Sequence, residues 1–193
     1  MVAGTVIVLT GPIFVAVYLA ILVRLGRPVI FRQQRPGYKG QPFYVYKFRT
    51  MMRATHREGQ PLRDDQRIGR LGKLIRKLSL DELPQLWNVL RGDMSLIGPR
   101  PLLMEYLDLY TPEQMRRHDV KPGITGLAQV SGRNNLPWDQ KFELDVWYVD
   151  HWSLWLDIRI FFLTIQKVLK GEGVSAKGVV SMTKFTGNGS DGA

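Results

Sequence analysis

The chain has 193 residues, which suits one domain of ordinary size and is long enough to bury a hydrophobic core. It carries 27 Lys and Arg against 17 Asp and Glu, a formal charge of +10, yet 45% of its residues are hydrophobic. This combination excludes an acidic or a disordered chain and favours an anionic partner: nucleic acid, an anionic membrane or a phosphorylated substrate. No cysteine is present and the three histidines are scattered, which argues against disulfides, a thiol nucleophile and a zinc hydrolase.

Residues 1–23 contain no charged side chain, and the first charge is Arg24. A helix of this length would be about 35 Å long, enough to cross a hydrocarbon core of about 30 Å. Gly11 and Pro12 lie in its middle, and proline both lacks a backbone donor and clashes with the preceding turn. Two arrangements remain open: a kinked helix that spans the membrane, and a helix broken at Gly11-Pro12 that enters and leaves by one face. A cleaved signal peptide is disfavoured, because residues 1–10 lack a basic region.

Basic residues follow this hydrophobic segment closely. Arg24, Arg27, Arg32 and Arg35 fall within twelve residues, and the first acidic residue is Glu58. Because basic flanks stay in the cytoplasm, we expect the C-terminal end of the segment at the cytoplasmic face in either arrangement.

The rest of the chain predicts short elements joined by Gly- and Pro-rich loops. Residues 28–50 predict a β-hairpin or extended loop with a strand at 43–46, and residues 53–66 an exposed loop. Apolar residues at helical spacing from Ile68 to Leu78, among many basic ones, predict an amphipathic helix. Its basic face is either simply solvated or placed on anionic lipid headgroups. Further helices are predicted at 83–92, 102–117 and 138–149.

Residues 152–170 contain two tryptophans and two phenylalanines among aliphatic and basic side chains. Such a mixture is typical of the membrane interface, although a buried core helix would have a similar composition. Charges interrupt the stretch too often for a membrane span, so we favour the interface. The Gly-rich tail from Gly171 is predicted to be loosely ordered.

The stretch SLDELP contains two adjacent acidic residues, Asp81 and Glu82, close to Arg76 and Lys77. One interpretation is structural: Asp81 caps a helix whose third residue is Pro84, and Glu82 lies near its positive end. The other is chemical, because nearby cations and backbone N–H groups keep a carboxylate ionised, as a nucleophile or metal ligand requires. Neighbouring residues on a helix diverge by about 100°, so the pair suits two tasks, attack and metal binding, rather than a glycosidase's facing carboxylates.

Several basic residues are candidates for binding phosphate. Arg100 lies between two prolines that restrict its backbone, and a held guanidinium suits bidentate phosphate recognition; a surface turn is the alternative. Lys47 and Arg49 in the YKFRT stretch, and Arg133 after a glycine, are further cations beside loops. The candidate phosphate-binding residues are therefore Lys47, Arg76, Arg100 and Arg133.

Two acids of the aromatic-rich C-terminal third, Asp145 and Asp157, are candidates for a supporting role at the site. An unpaired acid in such surroundings needs a partner. The alternative interpretation is an ion pair with Lys141 or Arg159.

Four stretches together resemble the bacterial sugar transferase family: VYKFRTM (45–51), SLDELPQLWNVLRGDMSLIGPRP (79–101), RHDVKPGITGLAQVSGRN (117–134) and FELDVWYVDHWS (142–153). The similarity covers nearly the whole chain and is greatest to the short monotopic phosphoglycosyl transferases of the diacetylbacillosamine-phosphate transferase type. The resemblance implies a membrane segment at 1–23 followed by a catalytic domain at 24–193. The expected fold is α+β and mostly helical: a re-entrant membrane helix, then a cytoplasmic-face domain with interfacial amphipathic helices and a short β-hairpin.

The activity that the resemblance implies is transfer of a sugar 1-phosphate from a UDP-sugar to a polyprenyl (undecaprenyl) phosphate, with release of UMP. This would be the first membrane step of glycoconjugate or exopolysaccharide assembly, at the cytoplasmic face of a bacterial inner membrane. By the same resemblance, Asp81 is the nucleophile that forms a covalent phosphosugar intermediate, and Glu82, with Asp81 beside it, binds Mg²⁺. Pro12 marks the re-entrant break, where the family usually has Ser at the position of Gly11. The expected partners are the two substrates and membrane lipids, but not nucleic acid. The resemblance is also compatible with a homodimer.

Two other classes of function fit part of the pattern. A membrane-tethered module that binds nucleic acid or another anion through the basic helix at 67–77 would explain the charge but not the Asp81-Glu82 pair. A scaffold on the inner membrane would depend on residues 152–170 and not on Asp81. The enzyme is the interpretation that accounts for both the acidic pair and the basic residues.

Overall fold

The computed structural model describes residues 2–53, 56–57, 60–62, 64–132, 136–170 and 184–187. The α-helices are α1 (Val2–Leu25), α2 (Asp64–Arg67), α3 (Arg70–Lys77), α4 (Gln85–Arg91), α5 (Pro112–Met115), α6 (Leu127–Ser131), α7 (Trp138–Asp150) and α8 (Leu154–Lys170). The strands are β1 (Ile30–Pro36), β2 (Pro42–Phe48), β3 (His56–Arg57), β4 (Gln60–Pro61), β5 (Ser95–Ile97) and β6 (Gly123–Thr125). Short 3₁₀ helices cover Tyr38–Gly40, Leu80–Glu82, Met104–Leu109 and Arg116–His118. The predicted α+β class, mostly helical and with a short hairpin, is confirmed.

Helix α1 runs through Gly11 and Pro12 without interruption. Helical structure is therefore not lost at the residues where we predicted a break, and re-entry of the segment stays a prediction. Within the described part of the chain, no helix is both long and apolar enough to cross a membrane.

The C-terminal half of α1 is anchored on the following domain. Val17 and Ile21 are buried in a cluster with Phe48 of β2 and Ile75 of α3. The guanidinium of Arg49 donates to the main-chain carbonyls of Leu25, Gly26 and Arg27. These carbonyls lie at and just beyond the end of α1, where the helix dipole favours a cation. Arg49 therefore caps the C-terminus of this helix.

The predicted hairpin is confirmed: β1 and β2 pair antiparallel from Ile30 opposite Phe48 to Pro36 opposite Pro42. One fully buried residue of α4, Asn88, fixes the hairpin on the helices. Its Oδ1 accepts from the Tyr46 N–H at 3.2 Å, and its Nδ2 donates to the Tyr44 carbonyl at 2.7 Å. These bonds set the position of the strand residue that follows, Lys47.

Two short strands that the sequence reading did not identify, β5 and β6, pair in parallel. Their backbones approach so closely that a Cβ on Gly123 would lie 2.1 Å from the Gly98 nitrogen. Only glycine permits this contact, which holds the Gly98-Pro99-Arg100-Pro101 loop against the 121–126 segment. Each strand has three residues, too few for an alternating pattern to stand out.

The prediction of a single helix at 102–117 is wrong. The segment instead contains the 3₁₀ helix Met104–Leu109, an extended step, α5 and a second 3₁₀ turn. The interruption falls at Pro112, whose missing N–H and bulky ring favour an extended Thr111 before it. Thr111 and Gln114 then form a capping box at the start of α5. The other predicted helices are confirmed with shifted ends, as α3, α4 and α7, and the stretch at 152–170 contains α8.

An aromatic cluster packs around α7. Tyr106, Trp138, Phe142 and Phe185 are buried together, and the Phe185 N–H donates to the Tyr106 hydroxyl at 3.1 Å. Most of the predicted loose tail from Gly171 lies outside the described residues, but Phe185, which is described, belongs to this core. Helix α8, by contrast, leaves large side chains in solvent, including Leu154, Trp155, Phe162 and Leu169.

Candidate active site

The acidic pair lies on a sharp turn between α3 and α4. Asp81 and Glu82 belong to the 3₁₀ helix Leu80–Glu82, and the preceding Ser79 has φ 54° and ψ 21°, a left-handed conformation uncommon for residues other than glycine. The prediction that Asp81 caps a helix is wrong, because α4 has Pro84 at its N-cap and no side-chain capping bond. Its carboxylate is therefore not engaged in holding that helix end.

Glu82 is held by two cations that are distant in sequence. The Lys47 ammonium lies 2.9 Å and the Arg100 guanidinium 2.6 Å from the same oxygen, Oε1. Burial alone would raise the pKa of the Glu82 carboxyl, but Arg100 and Lys47 more than offset this and hold the pKa well below its usual range. Glu82 is thus a permanently ionised carboxylate with one cation more than it needs for neutrality.

Asp81 has different electrostatics from its neighbour. Burial raises the pKa of its carboxyl, Glu82 raises it further, and Lys47, Arg76 and Arg100 only partly offset the two effects. The nearby cations therefore favour the ionised form of both carboxylates, as expected, but they outweigh burial only at Glu82. A carboxylate with a raised pKa is the more basic and the more nucleophilic of the two when ionised.

Two of the four predicted phosphate-binding cations, Lys47 and Arg100, meet at Glu82. A third, Arg76, donates from Nε to the Thr50 hydroxyl at 2.8 Å and lies near enough to affect the pKa of Asp81. The fourth, Arg133, lies outside the described residues. Of the two cations next to the acidic pair in sequence, Arg76 lies near Asp81, whereas Lys77 is exposed on α3.

The two supporting acids have separate roles. Asp145 is buried and forms an ion pair with Arg117 at 2.6 Å, a partner that the interpretation from sequence did not name. Its pKa is raised by burial, with Arg117 and Lys141 as partial offsets. Asp157 accepts from the Tyr148 hydroxyl at 2.7 Å and from the Trp152 indole at 3.3 Å. These bonds join α7 to α8, so Asp157 has a structural role at the corner between the helices.

Sequence reasoning missed two arginines beside the site, Arg117 and Arg35. Arg117 follows the half-buried Arg116, and no local pattern distinguishes the fully buried member of this pair from the other. Arg35 is the second-last residue of β1, and its guanidinium donates to Gln33 Oε1 at 2.7 Å. Burial, followed by the nearby Arg100, lowers the pKa of Arg35 to about 10. Two neighbouring guanidiniums attract an anion.

The two carboxylates of the acidic pair fit a Mg²⁺ ion whose other ligands come from substrate and water. No group of three or more metal-binding side chains occurs among the described residues. Mg²⁺, however, is usually bound through one or two carboxylates, with substrate phosphates and water as the other ligands. Both cations contact Oε1 of Glu82, so Oε2 and the adjacent Asp81 carboxylate are the oxygens that such a site would use.

Comparison with known proteins finds similar sequences over nearly the whole chain. Residues 1–171 match the family model of the bacterial sugar transferases. The chain is 55% identical over 180 residues to the uncharacterized sugar transferase EpsL of Bacillus subtilis strain 168, which covers 93% of this chain and 89% of that protein.

Two longer relatives have names that state a reaction. The undecaprenyl-phosphate galactose phosphotransferase of Salmonella typhimurium is 40% identical, covering 87% of this chain and 39% of its own length. The UDP-glucose:undecaprenyl-phosphate glucose-1-phosphate transferase of Klebsiella pneumoniae is 41% identical, with 86% and 38% covered. The chain thus spans about two fifths of these longer proteins and nearly all of the shorter one. On this evidence the chain belongs to the bacterial sugar transferase family.

Proposed function

We propose that this protein is a phosphoglycosyl transferase that moves a sugar 1-phosphate from a UDP-sugar to undecaprenyl phosphate and releases UMP. Relatives at 40 and 41% identity are named for reactions of this class. The single observation that carries the proposal is the acidic pair on one turn, in which Glu82 is held by two cations while Asp81 is not. The two relatives are named for galactose and glucose, so family membership leaves the sugar open.

In the first step, an oxygen of the ionised Asp81 carboxylate attacks the phosphorus that bears the sugar. A new P–O bond to Asp81 forms as the P–O bond to UMP breaks, and UMP departs with the electron pair. The raised pKa of Asp81 makes it the better nucleophile of the pair. The product on the protein is an acyl phosphate that carries the sugar.

In the second step, a phosphate oxygen of undecaprenyl phosphate attacks the same phosphorus. The bond to Asp81 breaks and the carboxylate is regenerated, so the phosphosugar ends on the lipid as a diphosphate. Two sequential displacements at one residue predict ping-pong kinetics.

The cations and Glu82 serve both steps. Lys47 and Arg100, already fixed on Glu82, would contact the diphosphate oxygens and stabilise the charge that develops on the transferred and leaving groups. Arg76, oriented by Thr50, would approach the same phosphates from α3. When bound, Mg²⁺ supplies charge neutralisation of the diphosphate, with Glu82 and Asp81 as its protein ligands.

We further propose that the protein works at the surface of a bacterial inner membrane, on the cytoplasmic side. The exposed fractions of Leu154, Trp155 and Phe162 on α8 are 71, 75 and 64%, which is unusual for apolar side chains facing water alone. Exposed Leu74 on α3 and Trp87 on α4 lie on the elements that flank the acidic pair, among basic residues. An acceptor lipid would then reach Asp81 laterally, without leaving the membrane.

The test is UMP release from a panel of UDP-sugars by membranes that carry the protein, with undecaprenyl phosphate and Mg²⁺. We expect Asp81→Asn to lose turnover by at least about a thousandfold and to retain no labelled sugar phosphate on the protein. Asp108→Asn, which changes an exposed carboxylate away from the site, is the matched control and should keep full activity. Near-normal activity of Asp81→Asn would exclude the covalent route, and silence across the whole panel would count against the transferase itself.

A further inference from the structure

Arg117 and Asp145 form a buried ion pair next to the candidate active site, and one donor of this pair reaches the main chain of Arg100. We propose that Arg117 is a positioning residue for Arg100: held by Asp145, it fixes the loop from which the Arg100 guanidinium contacts Glu82. This inference rests on the proposed function for its catalytic consequence. Its structural part, the hold on the loop, stands independently.

Arg117 itself is fixed from several sides. Its side chain is 2% exposed, and Nη2 and Nε lie 2.6 and 3.1 Å from the same oxygen of Asp145. The rings of Tyr110 and Phe142 each lie with their centroids 5.8 Å from its guanidinium carbon. A planar guanidinium held in this way has one defined orientation, which a flexible ammonium would not have.

The same Nη2 that pairs with Asp145 also donates to the Arg100 carbonyl at 2.8 Å. Arg100 in turn donates to Glu82 at 2.6 Å. Contacts therefore run without a gap from Asp145 on α7, through Arg117, to the Arg100 main chain and on to the carboxylate of the acidic pair.

The loop needs such a contact because regular structure does not hold it. Residues 98–103 lie outside any helix or strand. The Gly123 N–H fixes the Pro99 carbonyl at 3.0 Å, one residue before Arg100. The hydrogen bond from Arg117 fixes the next carbonyl of the loop, that of Arg100. Since a buried ion pair is a weak source of stability, its use here is better explained by position than by stabilisation.

Arg117→Lys tests the proposal, because lysine keeps a cation beside Asp145 but lacks the planar fork that serves Asp145 and the Arg100 carbonyl at once. We expect the variant to fold, and kcat/KM for the UDP-sugar to fall roughly tenfold. If Arg117 acts through Arg100, the double variant Arg117→Lys/Arg100→Lys will be about as impaired as Arg100→Lys alone. If the losses of kcat/KM in the two single variants multiply in the double variant, the proposal is overturned.

Val17→Ala is the control for simple destabilisation. It shortens a buried side chain of α1 in the cluster with Ile21, Phe48 and Ile75, which is separate from the cluster that contains Ile97. We expect it to lower the melting temperature while its effect on kcat/KM, if any, combines multiplicatively with that of Arg100→Lys.

A readout that needs no turnover separates this proposal from the proposed function. Amide hydrogen exchange of residues 98–103 should become faster in Arg117→Lys and stay unchanged in Val17→Ala. Unchanged exchange in Arg117→Lys would refute the hold on the loop even if the enzyme is active. An absence of UMP release by the wild-type protein would instead refute the transferase, with the exchange result still deciding the role of Arg117.

Discussion

Two carboxylates, the half-buried Glu82 and the buried Asp145, lie in adjoining parts of the molecule and are paired in opposite ways. Glu82 has two cations on one oxygen, and its pKa lies well below the usual range despite its burial. Asp145 forms an ion pair with one arginine, and burial outweighs that arginine and the nearby Lys141 so that the pKa of Asp145 is raised. Lys47, Arg100 and Arg76 together outnumber the two carboxylates of the acidic pair by one, so an anionic substrate can neutralise a surplus positive charge there, whereas the Asp145–Arg117 pair is neutral already. An excess of cations over the paired carboxylate therefore distinguishes the binding cluster from the structural one.

The largest effect is expected from removing the charge at Glu82. Glu82→Gln keeps the shape but leaves Lys47 and Arg100 without their anion and removes a carboxylate ligand, so we expect kcat to fall by about a thousandfold in UMP-release assays. Glu143→Gln, an exposed site on α7, should match the wild type. An equal loss in both variants, or none in Glu82→Gln, would contradict the assignment of the Glu82 cluster to substrate binding.

Breaking the neutral pair should cost stability instead. Asp145→Asn leaves the Arg117 charge buried without its counterion, and we expect a loss of about 3 kcal/mol in the free energy of unfolding, measured by urea denaturation. The control is Asp150→Asn on the same helix, which breaks the exposed pair with the neighbouring Arg116 and should cost less than about 1 kcal/mol. Similar losses in the two variants would show that burial does not separate these pairs.

The smallest effect concerns pH. His118 is buried beside Arg117, and burial, with the arginine as a further cause, lowers the pKa of its imidazole to about 4. The groups that face it include Arg117, Asp119, the Gly37 carbonyl and the Tyr110 ring. Because the unfolded chain takes up a proton near pH 6.5 and the folded chain only near pH 4, stability is complete above this window and falls as the pH falls through it.

At pH 5 we expect His118 to cost about 2 kcal/mol of stability relative to neutral pH. Thermal or urea unfolding of wild type and His118→Gln across pH 7.5 to 4.5 measures this. The variant should lack that part of the pH dependence, and identical curves would show that His118 does not titrate as its burial demands.

Much of the local structure followed from the sequence. The hairpin, α3, α4 and α7 were predicted from spacing and turn residues, since alternation and helical periodicity act over a few residues. The helix predicted at 102–117 failed at a proline whose effect on Thr111 outweighed the apolar pattern around it. Strands β5 and β6 were missed, because pairing between segments about 28 residues apart leaves no local signal.

The sequence by itself determined that Asp81 and Glu82 are neighbours, that cations surround them, and which family the chain resembles. Only the tertiary structure decided which cations meet which acid. Glu82 is paired with residues 35 positions before and 18 positions after it, and Asp145 with an arginine 28 positions before it. The reason is physical: propensity and periodicity act within a turn or a strand, whereas ion pairing depends on the register of the hairpin, the packing of α4 beneath it, and glycines that let two backbones meet.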